Sequence, residues 1–120
     1  MGALPFQLAP LTTRTAVGIM HNMKAALLLK ERIPFDEDSF AELIIWRLPQ
    51  SVPGSSHSYK YRLAFIVEDT CVLRYDNEAG KGDHRHTYGR ELAYVFKSPE
   101  KLVLDFLADA RRIHHENRDS

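Results

Sequence analysis

The pattern of apolar and polar positions divides the chain into several strand-like segments followed by one helix-like segment. The first two segments, KAALLLKERIPF (24–35) and SFAELIIWRLP (39–49), are separated by an acidic turn at 36–38. Branched and aromatic residues in the second segment favour strands, so we predict a β-hairpin. A helix over 23–32 is the alternative, because this stretch is rich in good helix formers and a short apolar run does not determine the period. Trp46 is interpreted as a core or hairpin residue, since the interleaved basic and aromatic pattern of RNA-binding sheets is missing.

A second hairpin is predicted after a loop at 49–58 that is rich in Pro, Gly and Ser. A three-residue turn at 68–70 would put apolar side chains opposite one another on one face of this hairpin. The facing pairs are then Val67–Cys71, Phe65–Leu73 and Leu63–Tyr75, with Arg62–Asp76 and Ala64–Arg74 on the other face. A two-residue turn would set Phe65 against Arg74 and mix core with charge, so we prefer the first register. Cys71 is then expected to pack on the apolar inner face.

The stretch 84–96 alternates well enough to predict one long last strand. Gly89 would permit a bulge or a bend within it. Because alternate residues of a strand point the same way, His84, His86 and Tyr88 are expected to share one face.

The clearest helix signal follows residue 97. Ser98 is a good N-cap, Pro99 suits the first helical position, and Glu100 complements the positive end of the helix dipole. Apolar residues then recur at helical spacing, and these are Val103, Phe106, Leu107, Ala110 and Ile113. We therefore predict an α+β fold, an antiparallel sheet of about four to five strands covered on one face by a C-terminal α-helix.

Length and composition indicate a single globular domain. A chain of 120 residues buries enough surface for one core and not for two. Residues 1–22 contain two prolines and no sustained periodicity, so we predict a poorly ordered leader, with Met23 as an alternative start. The domain is expected to span 23–116, followed by a tail at 117–120.

Charge and cysteine content limit the kinds of partner and the cellular location that we expect. Sixteen basic and sixteen acidic residues give zero formal net charge, so any phosphate site must come from a local cluster. The single cysteine cannot form an internal disulfide, and the sequence has neither a secretory signal nor an apolar run long enough for a membrane span. We therefore expect a cytoplasmic protein that does not bind membranes.

Candidate chemistry is concentrated in RYDNEAGKGDHRH, residues 74–86, which holds three cations, two aspartates, one asparagine and two histidines. Two histidines at i and i+2 point the same way on a strand, as a general acid and base pair requires. Arginines and a glycine-flanked lysine can meet a phosphate. The catalytic candidates are His84, His86, Arg74, Lys81 and Asp76, and the substrate-binding candidates are Arg62, Asn77, Asp83, Arg85 and Lys60.

Each of these features also has a plainer interpretation. Asp76 and Asn77 before a glycine-containing turn are typical of turn chemistry. An Arg62–Asp76 pair across a sheet is usually a solvated salt bridge that contributes little. A divalent metal held by His84, His86 and Asp76 is the weaker alternative. The spacing in the sequence pairs the two histidines but does not by itself place a third ligand such as Asp76 beside them.

The segment from Lys24 to Ile113 resembles the TumE-family toxins of bacterial type II toxin-antitoxin modules. The resemblance rests on ELIIWRLPQSVPGSSHSYKYRLAFI, on VLRYDNEAGKGDHRH and on the helix start SPEKLVLDFL. It covers about three quarters of the chain and leaves residues 1–22 outside. It implies a toxin that is encoded beside a helix-turn-helix antitoxin and that arrests growth when it is released from this partner.

By analogy with other small toxins, the expected reaction is metal-independent RNA cleavage, with no cofactor. A ribose 2′-hydroxyl would attack the neighbouring phosphorus while His84 and His86 share the acid and base roles. Arg74 and Lys81 would stabilise the charge on the phosphorane, with Arg62 further away. Asp76 or Asp83 would orient a histidine or restrain an arginine.

The residues also allow two other activities. The toxin can act by binding and occluding a cellular protein, which zero net charge favours, or as a metal-dependent nuclease through its His-X-His pair. The antitoxin can bind the polar face of the sheet or the edge strand of the N-terminal hairpin. The sequence also allows a homodimer.

Overall fold

The structure, a computed structural model, describes residues 24–119. Within them the chain forms β1 (Ala26–Pro34), β2 (Ser39–Arg47), β3 (Tyr59–Val67), β4 (Thr70–Glu78), β5 (Gly82–Thr87), β6 (Arg90–Ala93) and α1 (Pro99–Asp119). The predicted α+β class is confirmed, and the sheet has slightly more strands than expected, six in the described part of the chain. The predicted leader, 1–22, lies outside the described residues.

The strands form one antiparallel sheet in chain order, β1-β2-β3-β4-β5-β6. Each strand pairs with its neighbour in sequence, through a tight turn in every case except β2–β3, which the loop at 48–58 connects. The N-terminal hairpin is confirmed, and in its turn Asp36 accepts hydrogen bonds from the Asp38 N–H and the Ser39 hydroxyl, each at 2.8 Å. The alternative helix over 23–32 is wrong, because pairing along the whole of β1 overrides the local helix propensity.

The β3–β4 hairpin has the predicted register with a shorter turn than predicted. Leu63 faces Tyr75, Phe65 faces Leu73, Arg62 faces Asp76 and Ala64 faces Arg74, as predicted. The turn holds only Glu68 and Asp69, whose φ values of 48° and 66° suit a two-residue hairpin turn. The register shifts beyond Phe65 because Val72 forms a bulge, so the short turn and the apolar register coexist. The predicted Val67–Cys71 pair is therefore wrong, and Cys71 is exposed instead of packing in the core.

The predicted last strand is in fact two strands. Tyr88 and Gly89 both have positive φ, 50° and 79°, and form a tight turn that folds β6 back onto β5. The prediction of one strand with a bend is wrong because these two residues together reverse the chain. His84 and His86 share a face as predicted, whereas Tyr88 lies in the turn.

The core lies between α1 and one face of the sheet, which we call the inner face; the opposite face is the outer face. The cap on α1 is confirmed, since Ser98 Oγ accepts a hydrogen bond from the Lys101 N–H at 3.0 Å. The helix buries Leu102, Val103, Phe106, Ala110 and Ile113 against the inner face, with Leu107 partly buried beside them. The helix continues through 117–119, part of the segment predicted as a tail. No helix among residues 24–119 is long and apolar enough to cross a membrane.

Candidate functional site on the outer face

Six of the ten predicted site residues come together on the outer face, on three neighbouring strands. They are Lys60 and Arg62 on β3, Arg74 and Asp76 on β4, and His84 and His86 on β5. The register orders five of them in two rows across the strands, Arg62–Asp76–His84 and Ala64–Arg74–His86, and Lys60 lies two residues before Arg62 on β3. Because adjacent strands lie about 4.8 Å apart, each row brings its side chains into reach of one small group.

Two carboxylates connect the polar groups of these rows. Arg74 Nε donates a hydrogen bond to Asp76 Oδ2 at 3.0 Å, and the other oxygen of Asp76 lies 3.7 Å from His86 Nε2. Glu91 on β6 reaches both histidines, with an Oε2 distance of 3.7 Å to His86 Nε2 and 3.8 Å to His84 Nε2. The two imidazole centroids are 6.4 Å apart. The result is one continuous network across three strands.

Sequence reasoning missed Glu91. It faces His86 directly across the β5–β6 pair, so its position depends on the turn at Tyr88 and Gly89. Gly89 is only a weak signal for this turn, because two-residue hairpin turns usually carry Asn, Asp or Gly before the glycine and this one carries Tyr88.

The backbone fixes the proton position of a neutral His84 ring. Its Nδ1 lies 3.2 Å from the Gly82 carbonyl oxygen. A carbonyl oxygen only accepts hydrogen bonds, so Nδ1 carries the ring proton and Nε2 keeps its lone pair. In this neutral form Nε2 can accept a proton on the outer face, where it lies 3.8 Å from Glu91 Oε2 and the His84 side chain is 22% exposed.

Three other predicted site residues, Asn77, Asp83 and Arg85, point to the inner side of the sheet. Asn77 is fully buried. Its side chain accepts a hydrogen bond from the Tyr61 N–H at 3.0 Å and donates one to the Tyr59 carbonyl at 2.6 Å. Asn77 therefore ties the start of β3 to β4 and has no path to a ligand on the outer face.

Asp83 binds His57 of the 49–58 loop. His57 Nδ1 accepts from the Tyr59 N–H at 3.1 Å, so Nε2 carries the proton and donates to Asp83 Oδ1 at 2.8 Å. Tyr61 donates to the same carboxylate oxygen at 2.6 Å. Burial and this hydrogen bond raise the pKa of Tyr61. The cluster fastens the loop to β5 from the inner side.

Arg85 forms an ion pair with Asp109 of α1, at 2.8 Å between Nη1 and Oδ2. Tyr75 donates a hydrogen bond to the same carboxylate at 2.5 Å. Burial alone would raise the pKa of Asp109, but hydrogen bonds from Tyr75 and from two arginines outweigh it and lower the pKa. These residues border a cleft of about 360 Å³ between the helix and the sheet, and they anchor α1 to β4 and β5.

Lys81 lies in the turn between β4 and β5, beyond the ends of the two rows. Its ammonium group is 3.5 Å from Glu78 and its side chain is 58% exposed. Lys81 is thus close in sequence to the two histidines but belongs to a separate, solvated ion pair.

Close backbone packing fixes the start of β5, the strand that carries the two histidines. Gly82 has a φ of +79°, and a Cβ built on it would lie 2.9 Å from the Gly54 carbonyl oxygen. A Cβ on Gly54 would lie 3.0–3.2 Å from the backbone of Gly80 and Gly82. The loop and the β4–β5 turn can touch in this way only because glycines face each other.

The described residues hold no group of three or more histidine, cysteine or acidic side chains arranged to bind a metal ion. His84, His86 and Asp76 share the outer face, but Asp76 is already hydrogen-bonded to Arg74.

These features define a small α+β protein in which a helix covers one face of the sheet and the other face carries a histidine, carboxylate and arginine network. The family model described as "Toxin TumE" matches residues 21–114. The chain therefore belongs to the TumE toxin family, and its role as a toxin follows from this membership. No curated protein and no solved structure matches the chain.

Proposed function

We propose that this toxin is a metal-independent endoribonuclease and that it belongs to a type II toxin-antitoxin module in the bacterial cytoplasm. The observation that supports the proposal is the pair of imidazoles, His84 and His86, which share the outer face with centroids 6.4 Å apart. Each ring can then reach a different oxygen of one phosphate at hydrogen-bond distance, about 2.6–3.2 Å.

His84 is the proposed general base. Its Nε2 lone pair takes the proton of a ribose 2′-hydroxyl while that oxygen forms a bond to the adjacent phosphorus. The bond from phosphorus to the 5′-oxygen then breaks, and a protonated His86 gives its proton to this leaving oxygen. Asp76 and Glu91 lie 3.7 Å from His86 Nε2, where they can pair with the charged ring and orient it.

Arg74 is the proposed stabiliser of the phosphorane. Only its Nε is bonded to Asp76, and the remaining guanidinium N–H groups can still donate to a phosphate. Arg62 lies in the neighbouring row, across from Asp76, and adds positive charge at a longer distance. Lys81 has the weakest claim to a catalytic role, because it lies in a separate ion pair with Glu78.

The chemistry of the RNA ends tests this mechanism. Purified toxin incubated with RNA in the presence of a chelator is expected to give 2′,3′-cyclic phosphate and 5′-hydroxyl ends. An RNA with 2′-O-methyl groups should remain intact, because it lacks the attacking hydroxyl. Loss of cleavage in chelator would favour a metal-dependent nuclease instead, and the absence of cleavage by folded protein would favour a toxin that occludes a cellular protein.

The proposed partner is a cognate helix-turn-helix antitoxin. Membership of a toxin family implies an antitoxin partner in general. Covering the outer face would block the two histidines directly, and this polar surface is therefore the site at which an antitoxin would inhibit the proposed reaction.

A further inference from the structure

Trp46 is the single tryptophan of the chain, and it lies on the outer face together with the histidines. It lies in the first hairpin, as predicted, and its cross-strand neighbours are Leu27 on β1 and Lys60 on β3. A base-stacking role was not expected for it from the sequence, because the interleaved basic and aromatic pattern of RNA-binding sheets is missing. Its side chain is partly exposed and does not belong to the core under α1. An aromatic ring of this kind can stack on a nucleobase, which contributes about 1–3 kcal/mol per base.

Two cations lie between Trp46 and the histidines. Lys60 and Arg62 are on β3, one strand from Trp46 and two strands from His84. Lys60 Nζ donates to the Asn77 carbonyl at 3.1 Å. Within residues 24–119 neither cation forms a salt bridge, and Asp76, which faces Arg62, is hydrogen-bonded to Arg74. Both cations can therefore still pair with a phosphate, although the whole chain has zero net charge.

The register gives the length of this surface. Trp46 is three strands from His84 and two residues further along the strand direction. With strands about 4.8 Å apart and a rise of about 3.4 Å per residue, their Cα atoms are separated by roughly 16 Å. This length corresponds to about five nucleotides at the duplex spacing of 3.4 Å per strand and to fewer in an extended strand.

We propose that the outer face binds single-stranded RNA across the strands, with one base stacked on Trp46 and the intervening phosphates on Lys60 and Arg62. The scissile phosphate then lies at His84 and His86. This inference rests on the proposed ribonuclease activity and specifies its substrate. A single strand is required because base faces are hidden in a duplex and are free for stacking only when the bases are unpaired.

The experiment uses the tryptophan itself as the reporter. The full chain is titrated with a short 2′-O-methyl single-stranded RNA, which cannot be cleaved by the proposed route, while tryptophan fluorescence is followed. We expect quenching with the single strand and none with the corresponding duplex. Trp46→Leu is expected to weaken binding of a labelled single strand about tenfold by anisotropy, because a base loses its stacking partner.

Phe40→Leu is the matched control, since Phe40 is another aromatic residue on the outer face of β2. Its ring is covered by the Arg32 guanidinium, 3.8 Å from the ring centroid, and its loss should leave RNA binding unchanged. The fluorescence titration of the wild type needs no variant, so it gives a result even if Trp46→Leu does not fold.

Binding without quenching, equal binding of the duplex, or no RNA binding by the wild type would each overturn the inference. A different result would contradict the proposed ribonuclease activity. If the single strand binds and quenches but unmodified RNA stays intact, the binding surface stands and the activity does not. If RNA is cleaved equally well by wild type and Trp46→Leu, the activity stands and this surface does not.

Discussion

At the scale of single residues, the two sides of the sheet use carboxylates for different purposes. On the inner side, Asp83 accepts hydrogen bonds from His57 and Tyr61 and anchors a loop. On the outer face, Asp76 binds Arg74 and lies 3.7 Å from His86, where its partners are still partly exposed. The same residue types are therefore structural on one side and accessible to a ligand on the other.

Asp36 gives a pH-dependent contribution to stability. Asp36, in the β1–β2 turn, receives a hydrogen bond from His114 of α1 at 2.7 Å. This bond, helped by hydrogen bonds from Ser39 and the Asp38 backbone, lowers the pKa of Asp36 from 3.8 to about 2. A lowered carboxylate pKa stabilises the folded state above the unfolded pKa, and this contribution is lost as the pH falls from about 4 to about 2.

His114→Ala should therefore reduce the free energy of unfolding more at pH 5 than at pH 2. The substitution removes the largest cause of the lowered pKa, so the pKa of Asp36 returns toward 3.8. Urea unfolding of wild type and variant across this range measures the difference between them. If the difference in the free energy of unfolding between wild type and variant does not become smaller toward pH 2, His114 is not the cause of the lowered Asp36 pKa.

At the scale of elements, strand alternation and helix signals predicted most of the fold. The apolar pattern predicted the first two hairpins, and Ser98 with Pro99 predicted the start of α1. The turn at Glu68 and Asp69 was not predictable in the same way, because positive φ at non-glycine residues has only a weak sequence signal. The bulge that accompanies it depends on cross-strand packing and not on local sequence.

The candidate site was predictable only in part, for a similar reason. Alternation placed His84 and His86 on one face, but Glu91 depended on a hairpin that the pattern did not indicate. Asn77 could have been assigned to the inner side, since it lies two residues from Tyr75, which the register already turned inward. Strand periodicity therefore predicted which side chains share the outer face better than the local density of polar residues did.

The β4–β5 turn gives a test at the element scale. Gly82→Ala and Gly80→Ala both place a side chain at positive φ, 79° and 83°, which costs about 1–2 kcal/mol. Only Gly82→Ala also brings a Cβ to 2.9 Å from the Gly54 oxygen. We expect it to lower the free energy of unfolding by about 1–3 kcal/mol more than its control does. Equal losses in urea unfolding would show that the loop does not pack tightly against this turn.

At the scale of the whole molecule, covering one face of the sheet leaves the other free for chemistry. The helix takes up the apolar side chains of the inner face, and buried side-chain nitrogen and oxygen atoms in the described part of the chain all have partners. The outer face keeps the polar network across β4, β5 and β6. This division is how a toxin of 120 residues without net charge would present the local phosphate-binding surface that we propose.

The most direct test of the proposed activity is induced expression of wild type, His86→Ala and His115→Ala while growth and bulk RNA integrity are followed. His115 lies exposed on α1 and serves as the matched histidine control. We predict growth arrest with rapid RNA cleavage for wild type and His115→Ala, and neither effect for a folded His86→Ala. Growth arrest with intact RNA, or undiminished cleavage by His86→Ala, would contradict this prediction.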